Sequence, residues 1–365
     1  MKFSCLKEKI EKALIIAERF SGKNLTLPIL SNILLETYDN FIRITATNLE
    51  HAVQINIPGK VHREGKISVP AKIISSLVQS IKEDKIDLEE KQGNLLLSTE
   101  NKDIKINGIS GEDFPLIPAV KKQQGFKING LNLRTAIEKV IPAVSISDFK
   151  PEFTGIFFKI INKELKIVAT DTFRLAEYKL EIDNKNNNFS FIIPYQMMQE
   201  LIRIISTDEE IKISYGENQV LFEIGDIKIT SRIIEGLFPD YENIIPKNFE
   251  NTSFIIKNQF KDSVKTSAIF TSKIMEVSLK IRNKQLEIKS GNQDVGEYKN
   301  IIAIHTSNPD NEMKVSFNYK YLLDGLNSLD EEEIFFGCNS ENSPSLFHNK
   351  SDQYFLYILM PIKIS

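Results

Sequence analysis

The feature that most constrains this chain is a period. Three phrases share one form, a β-rich run, a break and an amphipathic helix: "KISVPAKIISSLVQSI", "SFIIPYQMMQELIRII" and "MKVSFNYKYLLDGLNSL". Val69, Ile193 and Phe317 hold the same place in them, with 193 − 69 = 124 and 317 − 193 = 124. A second phrase runs "NFIRITATNLE", "KELKIVATDTFRL" and "KQLEIKSGNQD". It sets Ile42, Leu165 and Leu286 at 165 − 42 = 123 and 286 − 165 = 121. A third recurs as "DFPLIP" and "LFPDYENIIP", with 238 − 114 = 124, and "LMPIKI" falls near the same phase. Three landmarks with one period imply three units of one structure, although the wording of the units has diverged.

Each unit opens with a helix. In the first, Leu6, Ile10, Ala13, Leu14 and Ala17 make one apolar face. "NLRTAIEKVIPAV" and "NQFKDSVKTSAIF" take that place in the other two. The rest is alternating strand text such as "FIRITAT" and "ELKIVAT". Helices on one face of antiparallel sheet is an α+β arrangement. The polar, proline-led stretches 118–125 and 246–253 read as joints. The expected domains are therefore 1–121, 122–248 and 249–365.

Charge and composition narrow the function. The chain is 41% hydrophobic and 26% charged with a formal net charge of −3, so it does not read as an open-surface nucleic-acid binder. Cys5 and Cys338 are its two cysteines and have no metal-like spacing, which fits a reducing compartment. "MKFSCLKEKIEKALIIAERF" is too charged for a signal peptide, and no apolar run approaches the ~20 residues needed to cross a bilayer. The expectation is a cytoplasmic protein with no membrane partner.

Catalytic patterns are missing from the sequence. His51, His62, His305 and His348 have no repeated partner, and "SGKN" lacks the glycine and hydroxyl residues of a phosphate loop. The acidic runs at Glu89-Glu90 and Asp330–Glu333 are adjacent rather than spaced to converge. Asp113, Asp171 and Asp240 form the one candidate metal cluster, which would make the chain a metal-dependent nucleic-acid-processing enzyme. They read more simply as turn formers. No cofactor, no metal and no catalytic residue is expected. A peptide-binding adaptor that does not touch DNA is a further alternative.

Three like units in a row make an arc, and two arcs with complementary ends close head to tail into a ring. Helices lining the hole bring basic residues inside, among them Lys72, Arg134, Lys139 and Arg203, with Lys257, Lys261, Lys265 and Lys320. A ring lets a chain of net charge −3 hold DNA, because the positive charge need only be local.

At "MKFS", "TLPILSNILLE" (26–36), "VATDTFRLAEY" (168–178), "GLFPDYENIIPKN" (236–248) and "YILMPIK" (357–363) the chain resembles the bacterial sliding clamps, the beta subunits of DNA polymerase III, over essentially its full length. The resemblance implies three tandem clamp-fold domains, with helices lining the hole and antiparallel sheets outside. It implies a head-to-tail homodimer ring around double-stranded DNA, gripped without regard to sequence, and no catalysis. Implied partners are the alpha subunit of DNA polymerase III, an ATP-driven clamp loader complex, and other polymerases and repair proteins carrying clamp-binding peptides.

Carried across residue by residue, the resemblance puts a partner-peptide pocket at Phe153, Thr170, Thr172, Phe173, Arg174, Leu175, Pro239, Ile244, Ile358, Met360, Pro361 and Ile362. It puts the dimer interface at Ile104 and Ile106 on one side and Ile269 and Phe270 on the other, with "NKDIKINGIS" an edge strand. It adds Lys23 and Lys150 to the DNA-facing residues. The corner departs from the family, which often has Thr-Asp-Gly-His-Arg-Leu there. A β-branched Thr172 would be strained if that position needs a positive φ, and Phe173 makes the rim more apolar. The counterparts "IRITATNLEHA" and "LEIKSGNQDVG" share the strand, and the turn is expected in all three units, without the Thr-Phe-Arg-Leu ending.

Overall fold

The computed structural model describes residues 1–363 except 23–26, 119, 121–123, 148 and 184–187. Six α-helices occur among the described residues: α1 (Lys7–Phe20), α2 (Ala71–Ser80), α3 (Gly130–Val140), α4 (Tyr195–Ile204), α5 (Lys257–Ser267) and α6 (Tyr319–Ser328). None is long and apolar enough to cross a membrane. They fall two to a repeat, as the period requires.

The order of elements reveals a finer repeat. Setting aside short accessory strands, every repeat reads strand, helix, three strands, twice over. The two halves exchange their first strands. In the first repeat Lys2–Leu6 pairs with Lys85–Lys91 of the second half, while Gly65–Pro70 pairs with Asn32–Tyr38 of the first. The third repeat does the same with Asn251–Ile256 against Glu333–Cys338 and Met313–Asn318 against Glu276–Arg282. The landmark residues hold equivalent register: Val69 faces Ile33, Ile193 faces Ile156 and Phe317 faces Val277.

The chain divides into two compact units, Met1–Leu131 with Gln199–Ile233, and Asn132–Met198 with Ile234–Ser365. The central repeat is thus shared out, because each of its sheets continues a sheet of a neighbouring repeat. In the first unit, His51–Pro58 pairs with Ile227–Arg232 and completes a nine-stranded sheet; a five-stranded sheet ends on Asp103–Asn107. In the second unit, Arg174–Glu181 pairs with Phe355–Leu359 in another nine-stranded sheet; a four-stranded sheet ends on Gly296–Ala303. All the pairings between these strands are antiparallel.

The core follows the alternation of the strands and the faces of the helices. Phe3, Ile10, Leu14, Phe20, Ile33 and Ile74 are buried in the first unit, and Phe158, Phe260, Phe317, Phe336, Phe347 and Tyr357 in the second. On α1 the buried face is Ile10, Ala13, Leu14, Ala17 and Phe20. Leu6, expected on that face, ends the preceding strand instead and is exposed. Close packing of α6 depends on Gly325, since a Cβ there would lie 2.5 Å from the Tyr357 ring.

Candidate functional site

The strand Glu164–Thr170 ends in a corner, and Arg174–Glu181 leaves it. The corner is closed by its own side chains. Thr170 Oγ1 donates to the Arg174 carbonyl at 2.7 Å and accepts from Thr172 N–H at 3.1 Å. Asp171 Oδ1 accepts the N–H groups of Phe173 and Arg174, each at 3.0 Å. This bonding forces Thr172 to φ 77°, a left-handed conformation unfavourable for a β-branched residue.

Arg174 carries the corner's charge. Its Nε donates to Asp171 Oδ2 at 2.9 Å, Nη1 bonds Asp324 of α6, and the guanidinium lies 4.2 Å from the Tyr321 ring centroid. Burial alone would lower its pKa. The oxygens of Tyr357, Asp324 and Asp171 outweigh that and hold it raised, so the group stays charged.

The Phe-Pro-Asp-Tyr loop packs beside this corner. Phe238 stacks on Phe157 at 4.4 Å and meets Phe153 and Tyr241 edge-on at 6.2 and 6.1 Å. Tyr241 is buried and its hydroxyl donates to Glu177 at 2.5 Å. Burial, with Glu177 close by, pushes that hydroxyl's pKa far up, so it remains a donor. Glu242 accepts from Lys159 and Lys166 at 2.9 and 3.0 Å and ties the loop to the sheet.

Between the corner, the loop and the last strand lies a cavity of about 220 Å³. Of the twelve residues expected there, nine line it: Phe153, Thr170, Thr172, Arg174, Leu175, Pro239, Ile244, Ile358 and Met360. Asp240 and Tyr241 also line it and were not assigned to it from sequence. Tyr241 had one signal, an aromatic residue directly after a turn. Of this lining, Leu175, Tyr241 and Ile358 belong to a packed core cluster with Val168, Leu346 and Leu356.

Three expected wall residues lie elsewhere. Phe173 points out of the corner, 59% exposed, and stacks with Tyr321 at 6.4 Å, while its carbonyl accepts Met360 N–H at 2.8 Å. Pro361 and Ile362 lie past the cavity, half-buried, and Ile362 N–H donates to the Ser316 carbonyl at 2.8 Å. The chain leaves the cavity here because it is recruited by the strand Met313–Asn318.

The other expected residues divide. Lys139, expected to face DNA, is instead buried, its ammonium donating to the Ser328 carbonyl at 2.6 Å and Asp330 Oδ2 at 2.5 Å. Arg134 is paired with Glu138 at 2.8 Å and Arg203 with Glu200. Lys72 is exposed, and Lys150 is exposed beside the Phe153 ring at 5.4 Å. Lys23 lies outside the described residues.

At the expected interface, Ile106 is likewise buried instead: it is 5% exposed in its own unit and belongs to the core. Ile104 on the same strand is half-buried, Ile269 is 67% exposed, and Phe270 stacks on Tyr298 at 6.2 Å. Asp103–Asn107 is an edge strand, as its alternation suggested, and Gly296–Ala303 is an edge in the second unit.

Asp171 serves its own turn and Arg174, and Asp240 accepts from Asn243 at 2.6 Å. Among the described residues no three His, Cys, Asp or Glu side chains gather to hold a metal ion.

Known proteins match over the whole chain. Sequence models of the N-terminal, central and C-terminal domains of the DNA polymerase III beta subunit match residues 1–118, 127–240 and 242–363. The beta sliding clamp of Staphylococcus epidermidis is 29% identical over 354 residues, 93% of each chain, and that of Staphylococcus aureus 27% with the same coverage. The DNA polymerase III subunit beta of Pseudomonas aeruginosa superposes with a TM-score of 0.96 at 25% identity over 100% of both chains. The Bacillus subtilis sliding clamp gives 0.96 at 23% identity, again over 100% of both, a likeness of fold.

Proposed function

Because the chain belongs to the family of DNA polymerase III beta subunits, the non-catalytic processivity factors called sliding clamps, we propose that the 220 Å³ cavity is where its partners' peptides dock. The observation that carries this is the lining. Phe153, Leu175, Pro239, Ile244, Ile358 and Met360 offer apolar surface to one or two side chains, while Thr172, Arg174 and Asp240 offer polar groups at the rim. A short peptide with leucine or phenylalanine anchors fits that chemistry. Phe173 lies outside the lining and is exposed apolar surface next to Thr172 and Arg174, which do line it.

The same reading gives clamp domains at 1–121, 122–248 and 249–365, and a cytoplasmic protein. It gives a head-to-tail dimer around duplex DNA, and partners that include the polymerase alpha subunit, the clamp loader, and other polymerases and repair proteins. Strand topology supports the dimer. The third strand of a first half pairs with the third strand of a second half in His51–Pro58 with Ile227–Arg232, and in Arg174–Glu181 with Phe355–Leu359. By that rule Gly296–Ala303 calls for Asp103–Asn107, and both are edges. Supplying one from a second chain leaves no edge unpaired at the closure. Of the expected interface residues, Ile104 lies on the first of these edges and Phe270 stacks on Tyr298 of the second, with Ile269 exposed beside it.

Titration of a fluorescent clamp-binding peptide tests the pocket. Met360→Ala with Pro361→Ala is expected to weaken binding at least tenfold with unchanged thermal unfolding; unchanged affinity would move the peptide site elsewhere. Sedimentation tests the dimer, and a chain that stays monomeric at micromolar concentration would count against a stable ring.

A further inference from the structure

We propose that the helices of the first and third repeats, and not those of the central repeat, hold the DNA duplex electrostatically, with the Lys261–Lys265 flank of α5 contributing most. This rests on the encirclement proposed above.

A basic side chain attracts phosphate by its net local charge. One already paired with a carboxylate on its own helix brings little, since binding phosphate means giving up the partner or keeping a neutral pair. The six helices differ sharply by this measure. In the central repeat every basic helical residue is engaged: Arg134 with Glu138, Lys139 with Asp330 and the Ser328 carbonyl, and Arg203 with Glu200. In the first repeat Lys7 and Lys12 are engaged with Glu11 and Glu8, and Arg19 shares Glu200 with Arg203, but Lys9 and Lys72 make no ion pair among the described residues and are exposed.

The third repeat is richest. Lys261 and Lys265 on α5 and Lys320 on α6 make no ion pair among the described residues. Lys257, Lys261 and Lys265 recur every fourth residue and so run along one flank of the helix, beside the buried face of Phe260, Ser263, Val264 and Ser267. Lys257 is spent on structure, donating to the Leu329 and Asp330 carbonyls at 2.9 and 3.0 Å. Its own pKa is lowered, first by burial and further by the like charges of Lys261 and Lys139 against the pull of Asp330. Lys261 and Lys265 have no carboxylate partner among the described residues, and positive charge of that kind is what an anion relieves. The repeating phosphates of a duplex, read without regard to sequence, are such an anion.

The test compares two variants of the full-length protein, Lys261→Ala with Lys265→Ala, and Arg134→Ala with Arg203→Ala. Binding to a short labelled duplex is followed by anisotropy over a salt series, with dimer mass and thermal unfolding checked for each variant. The lysine pair is expected to lower the slope of log affinity against log salt by at least about 0.9, one phosphate contact, and the arginine pair to leave it unchanged. An arginine pair that lowers the slope as much as the lysine pair, or a lysine pair without effect, would overturn the proposal. Wild-type protein loaded by its clamp loader is separately compared on nicked circular and linear plasmid. Equal release from both would overturn the encirclement, and this assignment with it; retention on the circle alone with a flat slope in the lysine variant would sink the assignment and spare the ring.

Discussion

The corner at Thr47–His51 and the corner at Thr170–Arg174 are closed by the same five hydrogen bonds. Thr47 Oγ1 donates to the His51 carbonyl and accepts from Leu49 N–H; Asn48 Oδ1 accepts from Glu50 and His51 N–H; Asn48 N–H donates to the His51 carbonyl. Thr170, Asp171 and Arg174 repeat each bond. Leu49 has φ 78° where Thr172 has 77°. Even the neighbouring strand docks alike, Arg232 N–H on the Glu50 carbonyl and Met360 N–H on the Phe173 carbonyl, both at 2.8 Å.

The difference lies in what hangs on this shared frame. In the first corner Asn48 and His51 make a side-chain bond of 3.1 Å between neutral groups; in the second, Asp171 and Arg174 make an ion pair at 2.9 Å. The facing strand presents Thr230 and Arg232 at the first, and Ile358 and Met360 at the second. The turn is thus scaffolding, and the character of the site is set by the strand opposite it.

Removing the ion pair probes this contrast most severely. Arg174→Ala leaves the carboxylates of Asp171 and Asp324 without their partner and is expected to cost about 3 kcal/mol in chemical unfolding. His51→Ala, which leaves no charge behind, should cost clearly less; equal losses would mean that the charge is not what separates the corners. Converting the second facing strand into the first, with Ile358→Thr and Met360→Arg, should weaken peptide binding by about 2 kcal/mol, roughly thirtyfold. Retained affinity would return the specificity to the turn.

Acid should separate the corners next. Burial lowers the pKa of His51 against the opposing pull of Glu50, so the folded protein keeps it neutral while the unfolded chain protonates it near 6.5. The unfolded state then binds the extra proton. Stability falls as pH drops below about 6.5 and levels off below the folded pKa, by at most about 1.4 kcal/mol per pH unit. Melting curves of His51→Gln should lack this component, and an unchanged pH profile would refute it. The smallest effect concerns the backbone: Thr172→Gly relieves the left-handed strain and should stabilise by about 1 kcal/mol, with Leu49→Gly close behind. A destabilising Thr172→Gly would show that the hydroxyl or its packing matters more than φ.

The period of the sequence located the repeats, the helices and the second corner, because periodicity and turn chemistry are local. The exchange of first strands between halves was not legible, since Lys2–Leu6 must find Lys85–Lys91 across most of a repeat. The shared turn of the first two corners was legible from their place in the repeat, although its five bonds hide under the different texts Thr-Asn-Leu-Glu-His and Thr-Asp-Thr-Phe-Arg. The third unit breaks the expected pattern, passing from Asn292 to Gly296 through a hairpin in which Asn292 Oδ1 accepts Asp294 N–H. Ile106 and Lys139 depart from expectation for two reasons. A strand's alternation does not say which face is inward, and a lysine stem packs as well as leucine when carbonyls receive its head.

The six half-copies have a consequence for supply in the cell. A free single repeat would carry one open edge of each kind, and a closed circle of three repeat pairs would have to gather six separate molecules. Its population would fall with the sixth power of dilution. Joining three repeats in one chain leaves one open edge at each end, Asp103–Asn107 and Gly296–Ala303, so the closure proposed above needs only two molecules and falls with the square. Covalent linkage of the repeats would, in that closure, do the work of abundance.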